Sequence, residues 1–247
     1  MTPPLVAVAH GSRDPRSAAT VRALVDVVRA QAPGAAVYES FLDLSEPRVT
    51  DVLRKLYADG HRAAVVVPLL LGSAFHARVD LPALIDEVTA ECPGFTVEVS
   101  DVLGADPALE AVALDHLAGA PHKRHTGVVL SAVGSSNAGA NAVVADLAAR
   151  WETQLGIPVS EAFASAAQPD VPTAVARLRA RGVRRIVVAS WFLAPGLLPD
   201  RIAALAREAD PAAFVAGPLG ADPRVADVVI SRYATALSGL LLARQYV

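Results

Sequence analysis

An internal repeat constrains the fold of this chain more than any other feature. "LGADPALEAV" begins at Leu103 and "LGADPRVADVV" at Leu219, with five consecutive residues identical. "VAHGS", ending at Ser12, aligns with "SAVGS", ending at Ser135, and Glu46-Pro47 aligns with Gln168-Pro169. "ADGHRAAVVVPLLL" likewise aligns with "ARGVRRIVVASWFL". Four landmarks recurring in one order mean that one structural unit is present twice. We place the copies at residues 1–120 and 121–247, joined around "LAGAPHKRHTG".

Within the first copy, apolar runs alternate with helical patterns. "LVAVAH", "AAVYESFLDL", "AAVVVPLLL" and "FTVEVSDVL" are short, rich in Val and Leu, and bounded by turn residues, which predicts strands. Val21, Leu24, Val25 and Val28 follow the spacing of one helix face, as do Val49, Val52, Leu53 and Leu56, and then Leu81, Leu84, Ile85 and Val88. Asp14-Pro15 predicts an N-cap followed by proline at the first helical position. Asp80 is a candidate cap for the third helix, and Gly60 suits the residue after the second. Strict strand–helix alternation predicts an α/β fold: two similar parallel-sheet, flavodoxin-like domains covered by helices on both faces.

Composition narrows the function classes. With 53% hydrophobic and 19% charged residues, the chain is globular. The longest apolar run, "AAVVVPLLLG", is too short to span a bilayer and is interrupted by Pro68, so no membrane partner is expected. No basic residue precedes the first apolar stretch, which argues against a secretory signal. A lone Cys92 excludes an intrachain disulfide or a cysteine cluster, consistent with the cytoplasm. A net charge of −3 gives no basic footprint for nucleic acid.

The two copies differ where chemistry is expected. His10 is replaced by Val133 in the second copy, and "GSAFHARVD", around His76, is shortened to "APGLLPD". Both histidines fall just beyond strand C-termini, where open parallel sheets bind ligands. In a sheet of order 2-1-3-4, the first three strands end near His10, Asp43 and His76. With adjacent strands about 5 Å apart, these side chains can converge on one ion. Two imidazoles and a carboxylate suit cobalt, iron, nickel or zinc rather than Mg²⁺.

In this order and spacing, "VAHGSRDPRS", "FLDLSEP" and "VVVPLLLGSAFHARVDLP" resemble the sirohydrochlorin chelatases of the CbiX/SirB type. The resemblance covers the whole chain, including a duplication that keeps the histidines in the first copy alone. It implies a lyase that inserts Fe²⁺ or Co²⁺ into sirohydrochlorin, for sirohaem or cobalamin synthesis. The metal is then a substrate, and no permanently bound cofactor is implied. The resemblance puts catalytic and metal-binding roles on His10 and His76 and the acidic metal ligand on Asp43. The family usually has glutamate there, so Asp43 is a departure, one methylene shorter, and Glu46 is the alternative carboxylate. Tetrapyrrole contacts are expected at Gly11 and Ser12, whose backbone N–H groups open the first helix, and at Gly72, Ser73, Ala74 and Phe75. Arg13, Arg16 and Arg78 are candidates for pairing with peripheral carboxylates, and Gly134, Ser135, Ser136 and Asn137 for a second N–H cradle. A chain holding both copies is expected to be a monomer with pseudo-twofold halves.

Rival readings use the same residues. A metal-binding protein or metal carrier needs the triad but no tetrapyrrole. A histidine phosphatase also places His-Gly after its first strand, but with arginine directly before the histidine, where this chain has Ala9. No G-x-G-x-x-G or G-x-S-x-G motif supports a dinucleotide enzyme or a serine hydrolase. His122 and His125 fit a solvated basic linker, His61 and His116 fit structural or exposed positions, and Trp191-Phe192 fits core packing.

Overall fold

A computed structural model describes residues 2–72, 80–120 and 125–245, the side chains of 243–245 excepted. Elements alternate as β1 (Leu5–Ala9), α1 (Pro15–Gln31), β2 (Val37–Phe41), α2 (Val49–Ala58), β3 (Ala63–Pro68), α3 (Leu81–Glu91), β4 (Thr96–Val99) and α4 (Pro107–Asp115). The second series runs β5 (Thr126–Ala132), α5 (Ala138–Leu155), β6 (Val159–Phe163), α6 (Val171–Ala180), β7 (Arg185–Ser190), α7 (Leu197–Ala209), β8 (Phe214–Val215) and α8 (Pro223–Gln245). They form two parallel four-stranded sheets, ordered β2-β1-β3-β4 and β6-β5-β7-β8, the flavodoxin-like 2-1-3-4 order expected of each copy.

The central strands are buried on both faces, which explains their unbroken apolar runs: every residue of β1, β3 and β5 is buried. The helices cover the sheets with the stripes seen in the sequence. Val21, Leu24, Val25 and Val28 are buried on α1, and Val49, Val52, Leu53 and Leu56 on α2. Each such Leu contributes about 1.5–3 kcal/mol over an exposed position. Asp14 caps α1 by accepting from Arg16 N at 3.0 Å, with Pro15 following, and Gly60 takes a φ of +94° just past α2. Asp80 does not cap α3. Its backbone is already helical (φ −70°, ψ −47°) and its side chain makes no cap bond, because a capping side chain needs the extended backbone that turns it toward the following N–H groups.

Compact units and sequence copies do not coincide. One unit comprises Met1–Ala108 with Ala221–Val247, the other Leu109–Gly220. The difference from a boundary at 120/121 lies in the terminal helix of each copy. α8 packs against α1, β3 and β4 of the first sheet, and the Tyr233 hydroxyl donates to Pro3 O at 2.6 Å. α4 lies largely in the second unit, where Glu110 pairs with Arg150 of α5 at 2.6 Å. A helix packs wherever its apolar stripe finds a sheet face, and duplication of the sequence does not fix which copy provides it. By length and hydropathy, Pro223–Leu242 of α8 is the one described helix that could cross a membrane; a third of its most apolar window is buried.

Candidate functional site

The turn after β1 is built around one close approach. Asp43 N donates to His10 O at 3.0 Å, continuing the parallel pairing of β1 and β2 past both strand ends. Gly11 then passes so near that a Cβ there would lie 1.6 Å from Asp43 O, and its φ of +93° is one that L side chains rarely adopt. Only glycine fits. The result is that His10 and Asp43 are locked to each other through their backbones at the C-terminal rim of the sheet.

Both residues line a cavity of about 420 Å³ with Leu42, and α3 supplies the opposite wall with Asp80, Ala83, Leu84 and Glu87. His10 is half-buried, with Nδ1 3.2 Å from Gly11 O. The Asp43 carboxylate is 58% exposed. Its Oδ1 accepts from Leu44 N at 2.8 Å and pairs with Arg48 at 3.2 Å. Glu46 is engaged differently: Oε2 accepts from Arg48 N at 3.1 Å, the bond that Gln168 makes to Asp170 N at 3.0 Å in the second copy. Glu46 thus serves the turn, while Asp43 faces the cavity. Glu87 pairs with Arg54 at 2.7 Å.

Several expectations need correction. Ser12 N–H does not stand open as an anion donor, since it donates to Ser45 Oγ at 3.1 Å; Ser135 N–H is similarly taken by Asn141 Oδ1 at 2.9 Å. Nor is Arg16 poised for a ligand carboxylate. It clamps Asp14, and its hydrogen bonds hold that carboxyl below the usual carboxylate range. The first turn of α1 already holds an anion of its own. Asn137 caps α5 by accepting from Gly139 N. Trp191 and Phe192 are core residues, 3% and 7% exposed. Among the described residues, nothing lies within 4 Å of where a Cβ at Gly72 would project. Ser73, Ala74, Phe75, His76, Arg78 and His122 lie outside the described residues. Among the described residues no group of three His, Cys, Asp or Glu side chains is placed to hold a metal ion.

The cavity wall on α3 was not anticipated, although a signal exists. Asp80, Ala83, Leu84 and Glu87 are themselves spaced i, i+3, i+4, i+7, one residue out of phase with the buried stripe Leu81, Ile85 and Val88. Two adjacent faces of one helix therefore serve the core and the cavity.

The CbiX family model matches residues 4–120 and again 127–236, once on each copy. The chain belongs to the CbiX family. Among similar CbiX relatives is a sirohydrochlorin cobaltochelatase of Priestia megaterium, 25% identical over 212 residues, spanning 81% of this chain and 67% of that protein. A sirohydrochlorin ferrochelatase of Bacillus subtilis (strain 168) is 24% identical over 233 residues, or 91% and 88% of the two chains. The solved structure of SirB from Bacillus subtilis with Fe³⁺ has the same fold, with a TM-score of 0.77 at 22% identity over 96% of both chains. CbiX membership sets aside the phosphatase reading of His10-Gly11.

Proposed function

We infer that the protein is a metal chelatase that inserts a divalent ion, Fe²⁺ or Co²⁺, into sirohydrochlorin. The observation that carries this reading is the backbone-locked pair of His10 and Asp43 over a cavity at the rim of the first sheet. The second copy has Val133 and Ser165 in their place. Relatives carrying the names cobaltochelatase and ferrochelatase support the same activity.

Metal insertion requires that a hydrated cation shed water and that two pyrrolic N–H protons leave the macrocycle. In the proposed scheme His10, Asp43 and His76 hold the incoming metal, and the histidines also accept the protons. With Nδ1–H donating to the Gly11 carbonyl, the lone pair of His10 sits on Nε2, the nitrogen that binds metal or proton in this scheme. Asp43 supplies negative charge that offsets part of the dication's lost hydration. Gly11, Ser12 and the segment Gly72, Ser73, Ala74 and Phe75 border the macrocycle. A cytoplasmic monomer, acting without nucleic acid or membrane, agrees with the lone cysteine, the modest net charge and the fusion of both copies in one chain.

The test is an anaerobic insertion assay with sirohydrochlorin and, separately, Fe²⁺, Co²⁺ and Ni²⁺, followed by absorbance. The expected result is enzyme-dependent metallation with iron or cobalt. Tight metal binding with no acceleration for any ion would instead identify a metal carrier.

A further inference from the structure

The first copy gives up a helix cap that the second copy keeps. Asp170 precedes α6 and caps it, its carboxylate accepting from Thr173 N at 3.0 Å. The equivalent residue before α2 is Arg48, which has the extended backbone of a cap (φ −68°, ψ 146°) and makes no side-chain cap bond. Arginine has no acceptor to offer an orphan N–H, so helix stability does not explain it. Its guanidinium turns instead to the site: Nη1 lies 3.2 Å from Asp43 Oδ1, and Nε lies 3.6 Å from Glu46 Oε1.

The contact falls on one oxygen. Oδ1 of Asp43 also accepts from Leu44 N at 2.8 Å, with Leu44 at a φ of +60°. Among the described residues no hydrogen bond reaches Oδ2, and the closest approach of the guanidinium is to Oδ1. In the second copy neither partner exists, since Ser165 carries no charge and Asp170 no cation. The charge pair is therefore particular to the copy that bears His10.

Building on the chelatase reading, we propose that Arg48 is a positioning residue that sets the strength of Asp43 as a metal ligand. It holds Oδ1 against the turn, leaves one oxygen for the metal, and cancels part of the carboxylate charge. A fixed cation beside a ligand repels an arriving dication. For a metal that must be handed on to a macrocycle, a looser hold speeds transfer. Asp43 and Arg48 are 58% and 44% exposed, so solvent and salt screen the effect to a several-fold one.

The test compares wild type, Arg48→Gln and Arg48→Lys in two measurements: Co²⁺ affinity without macrocycle, and steady-state insertion. Arg48→Gln is expected to bind Co²⁺ about 3- to 5-fold tighter, with KM for the metal and kcat both falling. Arg48→Lys keeps the charge and stays within about twofold of wild type. Arg48→Asp restores the cap of the second copy, so it melts no lower than wild type and binds Co²⁺ at least as tightly as Arg48→Gln. A merely structural role can only loosen the site, so unchanged or weaker Co²⁺ binding in both Arg48→Gln and Arg48→Asp overturns the proposal. Absence of insertion by the wild type overturns the chelatase reading, and the Co²⁺ affinities still decide the role of Arg48.

Discussion

At the end of β1, Asp43 N donates to His10 O at 3.0 Å; at the end of β5, Ser165 N donates to Val133 O at 2.9 Å. The frames around these bonds repeat each other. Phe41 N and Phe163 N both donate to the carbonyl of a proline in a cis peptide, Pro47 and Pro169, at 2.9 Å. Gly11 and Gly134 both sit at positive φ against the carbonyl of the residue they cross, and Leu44 and Ala166 both take the left-handed conformation. What differs is the chemistry hung on the frame: imidazole against isopropyl, carboxylate against hydroxyl, arginine against a capping aspartate. Bonds shared by both copies belong to the fold, and residues present in one copy belong to its function. By that criterion Gly11 is scaffold, while His10, Asp43 and Arg48 are the residues on which the proposed site rests.

Helix-to-strand ties show how far the frame tolerates inversion. In the first copy, Arg29 donates to the carbonyl of Val37 at 3.1 and 3.0 Å. In the second, Glu152 occupies the equivalent place and accepts from the N–H of Val159 at 3.0 Å, with Arg181 clamping its carboxylate at 2.7 Å. The same edge strand is secured by side chains of opposite charge.

The comparison breaks most readily at the glycines. Gly11→Ala and Gly134→Ala would place a Cβ 1.6 Å and 2.1 Å from a carbonyl oxygen, so each should cost more than about 4 kcal/mol in urea unfolding. A loss under about 1 kcal/mol at either one would show that the turn is not shared scaffold. Next in size is the histidine. His10→Ala should lower insertion by about 10²-fold or more while leaving the melting temperature near wild type. Val133→Ala, at a position 46% exposed, should change neither. Asp43→Ala should cost about 10- to 100-fold in insertion, and Ser165→Ala nothing measurable; equal effects would erase the distinction between copies.

The smallest effect is one of pH, at Glu152 of the second copy, whose counterpart in the first copy is the cation Arg29. The hydrogen bond from Arg181, aided by Val159 N–H, pulls the Glu152 carboxyl down to about 2. An unfolded glutamate titrates near about 4.3, so the folded state gains stability above that pH and loses it as pH falls toward 2. With the side chain 36% exposed, screening keeps the gain to about 1 kcal/mol or less. Acid titrations followed by circular dichroism should show wild type more stable than Glu152→Gln at pH 6 and the two converging by pH 2. A gap independent of pH contradicts the assignment.

Much of the fold was legible in the sequence because it rests on periodicity. The buried stripes of α1 and α2, the Asp14-Pro15 start and the parallel pairing of the strands follow from spacing and alternation, while the 2-1-3-4 order came with the flavodoxin-like fold class. Of the candidate site, the placement of His10 and Asp43 beside each other at the strand ends was legible because neighbouring parallel strands end together; their roles belong to the proposal. What escaped depends on contacts between residues far apart in sequence or on backbone detail. Ser12 N–H is taken by Ser45, 33 residues on. Asp80 looks like a cap by composition but has the wrong dihedrals, and Glu87 lies on a helix face one residue out of phase with the core. The placement of α4 and α8 in the other copy's unit leaves no trace in periodicity, which marks a buried face without naming the sheet that buries it.

The most direct test of the central claim, that one copy alone carries the metal chemistry, is the stoichiometry of Co²⁺ binding measured together with X-ray absorption of the bound ion. The account predicts one Co²⁺ per chain, with imidazole ligation that is lost in His10→Ala and retained in Val133→Ala. Two ions per chain, or a single ion whose ligation survives His10→Ala unchanged, would contradict it.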